Sequence, residues 1–358
     1  MVKRLISVIT AGLLLLPLAA LANGTNDAHK AELLEALGAK GISVNDLNEY
    51  ASRALYFLTN ERMKEWDANE YYNPLRIANA VFVDNDVTLK QDFAQKFLDF
   101  YRGAVFNVDF ASREAVDAVN KWASDNTDGL ITEVIQEFDP QTVAAIANAI
   151  HFSDRWAREF NAADTKQDTF HAPNGDKTAD FMLREGDAQP YYEDGRVQAM
   201  PLYFQSGGSL HIIKPKDGDA TGLLQSLTDE YFQEIKRDTI SATGKLLLPK
   251  FEINSGLLQL RDALQMLGIP LFDADSAPLT DGIIEERIPV WLSSAVQKAY
   301  IKADEKGTTA AAVTVLAMSG AGMPEPTEPF EMKCDTPFVF VLTGNNGDVL
   351  FTGVVNQP

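Results

Sequence analysis

Apolar residues recur at Leu47, Ala51, Ala54, Leu55 and Leu58, steps of three and four that predict an amphipathic helix over 45–58. Residues 77–83 are continuously apolar around one Asn, as expected of a strand covered on both faces, and 144–152 read the same way. Helices follow over 93–101 and over 114–124, the second stopped by Asn126-Thr127-Asp128-Gly129, because glycine tolerates the positive φ of a helix C-terminus. From Asp180 onward short strands dominate, at 197–204, 209–213 and 245–253, interrupted by one helix at about 257–267. The chain closes on two apolar runs, 338–342 and 349–355, around Asn345-Asn346-Gly347-Asp348, a β-hairpin signal. Helices gather early and strands late, without regular βα alternation or an internal repeat. The pattern predicts one α+β domain built on large mixed sheets.

Lys3 and Arg4, the largely apolar run from Leu5 to Leu18, and Ala20-Leu21-Ala22 have the form of a secretory leader cleaved before Asn23. That reading gives a 1–22 signal peptide, a 23–358 domain and a secreted or periplasmic location. No other apolar run approaches the ~20 residues of a membrane-spanning helix. With 31 basic and 51 acidic residues the net charge is -20, which speaks against nucleic acid or anionic membranes as partners. One cysteine, Cys334, excludes an internal disulfide and a Cys-based metal site, and reads as a buried or half-buried thiol. His29, His151, His171 and His211 lack metal-ligand spacing and read as structural or solvated. No metal, cofactor or hydrolase nucleophile is implied.

The informative stretch is 304–337. Between Gly307 and Met323 there is neither proline nor charge, while Pro324, Pro326 and Pro329 crowd the next positions. Small side chains on both faces and an intact row of N–H donors suit a segment that enters the middle of a sheet, which proline would forbid. About 15 residues at ~3.3 Å each would make a strand on the order of 50 Å. Gly320-Ala321-Gly322 has the flexibility to fit a protease cleft. A plain Ala/Gly/Ser linker between two strands is the other reading of this segment alone.

Seven motifs, in order, resemble the serpin family. Glu305-Lys306-Gly307-Thr308-Thr309-Ala310-Ala311-Ala312-Val313-Thr314 is similar to its hinge E-E-G-T-E-A-A-A-A-T. Val119-Asn120-Lys121-Trp122, Asn126-Thr127-Asp128-Gly129, Asn148-Ala149-Ile150-His151-Phe152 with Trp156 and Phe160, and Leu248-Pro249-Lys250-Phe251 match upstream. Pro337-Phe338-Val339-Phe340 and Leu350-Phe351-Thr352-Gly353-Val354-Val355 match the closing hairpin.

The resemblance implies a serpin-like fold with an exposed reactive-centre loop at about 305–329. It implies a suicide inhibitor, not an enzyme: a serine or cysteine protease cleaves the loop, is held as an acyl-enzyme, and is trapped as the loop inserts into the main sheet. Family spacing puts the reactive bond at Ala321–Gly322, with Met318–Ser319 as the alternative, which suggests an elastase-like or subtilisin-like target. The implied hinge is Glu305, Gly307, Thr308, Ala310, Ala311, Ala312, Val313 and Thr314. Trp156 marks where the sheet opens, and Asn148 with Gln297 lies below its centre. Lys306 and Thr309 depart from acidic family positions, and Gln297 stands where a histidine is usual. Arg53 and Arg62 alone do not suit heparin-type activation, and a monomer is expected. At the N-terminus the resemblance offers a second reading of 5–21, as the remnant of the family's buried second helix. A non-inhibitory or inactive truncated serpin-like protein is the alternative function.

Overall fold

The computed structural model describes residues 15–59, 63–64, 71–72, 74–139, 141–254, 258–259, 261–280, 282–292, 296–297, 300–307 and 328–358. Three helices open it: α1 (Leu15–Leu21), α2 (Asp27–Ala36) and α3 (Val44–Thr59). Pro17 falls in the first turn of α1, where its missing N–H costs nothing. After the short pair β1 (Met63–Lys64) and β2 (Tyr71–Tyr72), β3 (Leu75–Asp84) leads into α4 (Gln91–Tyr101) and β4 (Gly103–Val108). Phe93, Phe97 and Tyr101 repeat every four residues in α4 and stack at 6.2 Å from ring to ring. A side chain at Gly103 would collide with the Phe97 ring.

Helix α5 (Arg113–Asn126) buries Ala115, Val116, Val119, Trp122 and Ala123 on one face. It stops as expected, with the Thr127 hydroxyl donating to Ala123 O at 2.8 Å and Asp128 and Gly129 both at positive φ. Strand β5 (Ala144–Phe152) pairs antiparallel with β3, and β4 pairs parallel on β3's other side. This three-stranded sheet is covered twice. Phe82, Ala80 and Ala149 pack under α5, whereas Val81, Val83, Ile150 and Phe152 face the core that holds α1, α3 and α4.

The second half is β6 (Lys166–Ala172), β7 (Gly175–Glu193), β8 (Val197–Tyr203), β9 (Ser209–Pro215), α6 (Ala220–Ser226), α7 (Asp229–Arg237), β10 (Ile240–Pro249) and β11 (Phe251–Asn254). Then come β12 (Leu258–Gln259), α8 (Arg261–Met266), β13 (Val296–Gln297), β14 (Tyr300–Ala303), β15 (Phe330–Lys333), β16 (Phe338–Thr343) and β17 (Val349–Val355). An eight-stranded sheet runs β15-β10-β7-β8-β9-β16-β17, with β6 also on β7. The closing hairpin forms as predicted.

Three expectations need correction. The single strand over 245–253 is two: β10 ends at Pro249 and β11 leaves for a different sheet, pairing with β14. The strand-rich region holds two helices before the expected one, α6 and α7. The helix expected over 257–267 is confined to α8, because 258–259 pair as β12 with β13.

Apolar residues Leu16, Leu18, Ala19, Ala20, Leu21 and Ala22 are all buried in the main core beside Leu33, Leu55, Phe93 and Phe97. The Thr25 hydroxyl donates to Leu21 O at 2.8 Å and Asn23 Nδ2 to Ala20 O at 3.1 Å, fastening the end of α1. Among the described residues no helix is long and apolar enough to cross a membrane. Cys334 is buried, which pushes its thiol up to about 12.

His151 and His211 are buried and His171 is exposed. Burial, reinforced by Lys236, pushes His211 from its ordinary 6.5 down to about 3; burial also lowers His151, partly opposed by Asp128. The unfolded chain therefore binds protons that the fold refuses, so this contribution to stability is complete above pH 6.5 and is lost as pH falls. Between pH 6.5 and roughly 5, above the carboxylate range, His211 alone should cost up to about 1.4 kcal/mol per pH unit. Urea unfolding across that window should show this slope, flattened in His211→Gln.

Candidate functional site

Strand β5 ends at Phe152 and β14 at Ala303, and the segments that follow them meet. Trp156 N donates to Lys306 O at 2.9 Å, Phe160 N to Glu305 O at 2.8 Å, and the indole Nε1 of Trp156 to Asp304 O at 2.8 Å. Arg155 and Gly307 form an antiparallel bridge. The turn is tied internally: Asp304 N donates to Gly307 O at 3.0 Å, and Asp304 Oδ1 accepts from Lys306 N at 2.9 Å. Trp156 is fully buried and stacks on Phe204 at 4.7 Å. Gly307 is obligatory here, since a Cβ would overlap Asp154 O and lie 2.7 Å from Arg155 Cα.

Below this junction, among the described residues, no strand pairs with the second edge of β5 or of β14. Each strand ends at the junction, β5 from the β4-β3-β5 sheet and β14 from its pair with β11. A strand leaving Gly307 and running back between them would be antiparallel to both, the arrangement that a tight turn can join. The nine residues of β5 offer such a strand about 30 Å of edge.

Asn148 lies opposite Asn79 in the β3–β5 register, and its Nδ2 donates to Asn79 Oδ1 at 2.9 Å. Asn79 donates to Tyr101 O at 2.8 Å, the Tyr101 hydroxyl to Asn48 Oδ1 at 2.8 Å, and Asn48 exchanges two 2.9 Å bonds with Asn23. Burial raises the Tyr101 phenol well above its ordinary value, so it stays a donor. A polar thread thus crosses the core from β5 to the end of α1. Each buried amide is satisfied, which is the condition for tolerating it there.

Glu305 accepts from the Thr165 hydroxyl at 2.9 Å and pairs with Lys250 at 3.3 Å, and Lys250 also meets Asp180 at 3.3 Å. Burial opposes ionisation of Glu305, but its own backbone N–H, Thr165 and Lys250 outweigh it and hold the carboxyl below its usual range. Glu305→Lys would set two ammonium groups together and orphan Thr165. A loss of about 1–3 kcal/mol is expected in urea unfolding, partly restored by adding Lys250→Glu.

The structure brings together Trp156, Glu305 and Gly307, and places Asn148 on β5. Gln297 is on β13, its backbone opposite Leu258, and its side chain lies outside the described residues. Thr308, Ala310, Ala311, Ala312, Val313, Thr314, Met318, Ser319, Ala321 and Gly322 also lie outside them. Sequence reasoning gave no role to Asn79, although it is the one polar residue in an apolar run. Lys250 is legible in the sequence only as part of a motif, not as the partner of Glu305. No group of three or more potential metal ligands occurs among the described residues.

The profile of the serpin (serine protease inhibitor) family matches residues 9–358, a span that includes α1. An uncharacterized serpin-like protein of Thermococcus kodakarensis is 30% identical over 79% of this chain and 66% of its own length. Plasminogen activator inhibitor 1 of Mus musculus is 31% identical over 89% of this chain and 79% of its own. The native state of the thermophilic serpin tengpin is similar at TM-score 0.83 and 26% identity, covering 98% of this chain and 88% of that one. With the family profile spanning nearly every residue and the fold agreeing throughout, the chain belongs to the serpin family.

Proposed function

We propose that this chain inhibits a serine or cysteine protease by sacrificing its own loop. The observation that carries the reading is the pair of edges, on β5 and β14, that no described strand covers, joined at a turn from which a proline-free, charge-free segment departs. In this mechanism the protease nucleophile attacks the Ala321 carbonyl carbon, the Gly322 amine leaves, and the new ester links the loop to the enzyme. Residues from Thr308 onward then enter the slot as an antiparallel strand, and the protease is carried with them before water reaches the ester. Ala312 and its small neighbours pass between covered faces without steric cost. Met318–Ser319 is the alternative bond. The working form is a monomer whose partner is the protease, with no nucleic acid, membrane or cofactor required.

The burial of α1 supports the reading of 15–22 as a retained core helix over its removal as a leader. Incubation with an elastase or subtilisin, followed by mass spectrometry, tests the loop assignment. A released peptide beginning at Gly322 or Ser319 is expected, and cleavage confined to sites outside 308–327 would overturn it.

A further inference from the structure

A second polar cluster lies beside the hinge and takes no part in the reading above. Arg184, on β7, is only 7% exposed. Its guanidinium sits 4.2 Å from the Phe160 ring centre and donates through Nη2 to the Arg158 carbonyl, but its Nε has no partner. The charge acting on it is another cation, Arg158, which together with burial lowers Arg184 to about 9, still charged at neutral pH. Arg158 itself donates to a carbonyl, Glu185 O, at 2.9 Å. Among the described residues neither arginine meets a carboxylate. Buried charge without a counter-charge is costly, and two like charges together cost more.

A bulge in β7 brings in a third donor, the Gln189 side chain. Opposite β10 the register slips, Gly244 facing Gly186 but Ala242 facing Gln189, so one extra residue of β7 is accommodated as a bulge. The slip turns Gln189 onto the face that Arg184 and Gly186 share. Gln189 is 2% exposed and its Nε2 is unpaired. A Cβ on Gly186 would lie 2.9 Å from that Nε2 and 3.6 and 3.7 Å from the two terminal nitrogens of Arg158. The space over Gly186 is thus flanked by the N–H donors of Gln189 and Arg158. The cavity of about 430 Å³ on the far side of Gly186 is lined by Glu185, Asp187 and Glu331, the last paired with Lys245 at 3.0 Å, and by none of these three donors, so it is no part of the cluster.

We propose that Arg158, Arg184 and Gln189 form a binding site for a small oxyanion of the phosphate type, reached by movement of the exposed Arg158 side chain. A bound anion would supply a counter-charge that no described residue provides and tie the 156–160 segment to β7. Phe160 N donates to Glu305 O, so occupancy would also brace the junction where β5 and β14 meet.

The test is the melting temperature of the full chain against rising inorganic phosphate, with ionic strength held constant by chloride. A saturable rise of roughly 3 °C is expected. Arg158→Gln should abolish it. Gln189→Glu, which supplies the charge from within the fold, should raise the melting temperature without phosphate and remove the response. Should that buried variant fail to fold, the exposed Arg158→Gln carries the comparison alone. No saturable rise, or an equal rise in Arg158→Gln as general salt exclusion would give, overturns the proposal. No protease is involved, so its failure is separate from failure of the inhibitory reading.

Discussion

A chain beginning at Asn23 is expected to lose most of its folding stability. Leu16, Leu18 and Leu21 are 6%, 5% and 2% exposed, so deleting α1 removes three buried leucines together with Ala19, Ala20 and Ala22. At about 1.5–3 kcal/mol for each leucine the loss is roughly 5–9 kcal/mol, against a total of about 5–15 for a folded domain. The deletion also uncovers Phe93, Phe97 and the inner face of β3 and β5, and removes the carbonyls that receive Asn23 and Thr25. Near-ultraviolet circular dichroism and urea unfolding of 23–358 beside the full chain make the comparison. The shortened protein should lack fixed aromatic signals or aggregate. An equal unfolding midpoint would mean that α1 is dispensable and restore the leader reading.

Cleavage within the loop is expected to make the protein far more stable. A strand of about ten residues entering between β5 and β14 gains hydrogen bonds on two edges, each contributing roughly 0.5–1.5 kcal/mol net. The gain is on the order of 10 kcal/mol, and the melting temperature should climb by on the order of 10–15 °C. In the proposed mechanism the intact chain would withhold this energy because its loop is joined at both ends, to Gly307 and to β15. Ala312→Arg should be cut equally well yet gain little, since a long charged side chain would have to enter a covered sheet. Calorimetry before and after cleavage decides. An unchanged melting temperature would rule out insertion.

Elements whose signals are local were legible in the sequence. Residues 77–83 announced a twice-covered strand, the 93, 97, 101 repeat announced α4, and Asn126-Thr127-Asp128-Gly129 announced the end of α5. Helix α7 also carried readable marks: Thr228 caps Tyr231 N at 3.2 Å, acids open the helix, and Lys236 and Arg237 close it. The surrounding strand-rich pattern masked them. The break at Pro249-Lys250 was harder, because β10 and β11 are contiguous in sequence and differ only in which distant strand receives them. Polar partners were out of reach altogether. Asn23 meets Asn48 across 25 residues, Asn48 meets Tyr101 across 53, and Asn79 meets Asn148 across 69. Only the fold brings those amides into one thread. The site was legible through family motifs at Trp156, Glu305 and Gly307, whereas the slot itself, a property of two strand edges, has no residue of its own to show it.

Covalent trapping of the protease would be visible on a denaturing gel. The full chain is mixed with a slight excess of an elastase or subtilisin, boiled in detergent and resolved beside the same mixture made with a protease whose nucleophile has been blocked. A band at the summed mass of the protease and the loop-cleaved inhibitor is expected, resistant to boiling and absent from the blocked control. Complete loop cleavage without that band, leaving the protease fully active, would contradict it and make this chain a substrate.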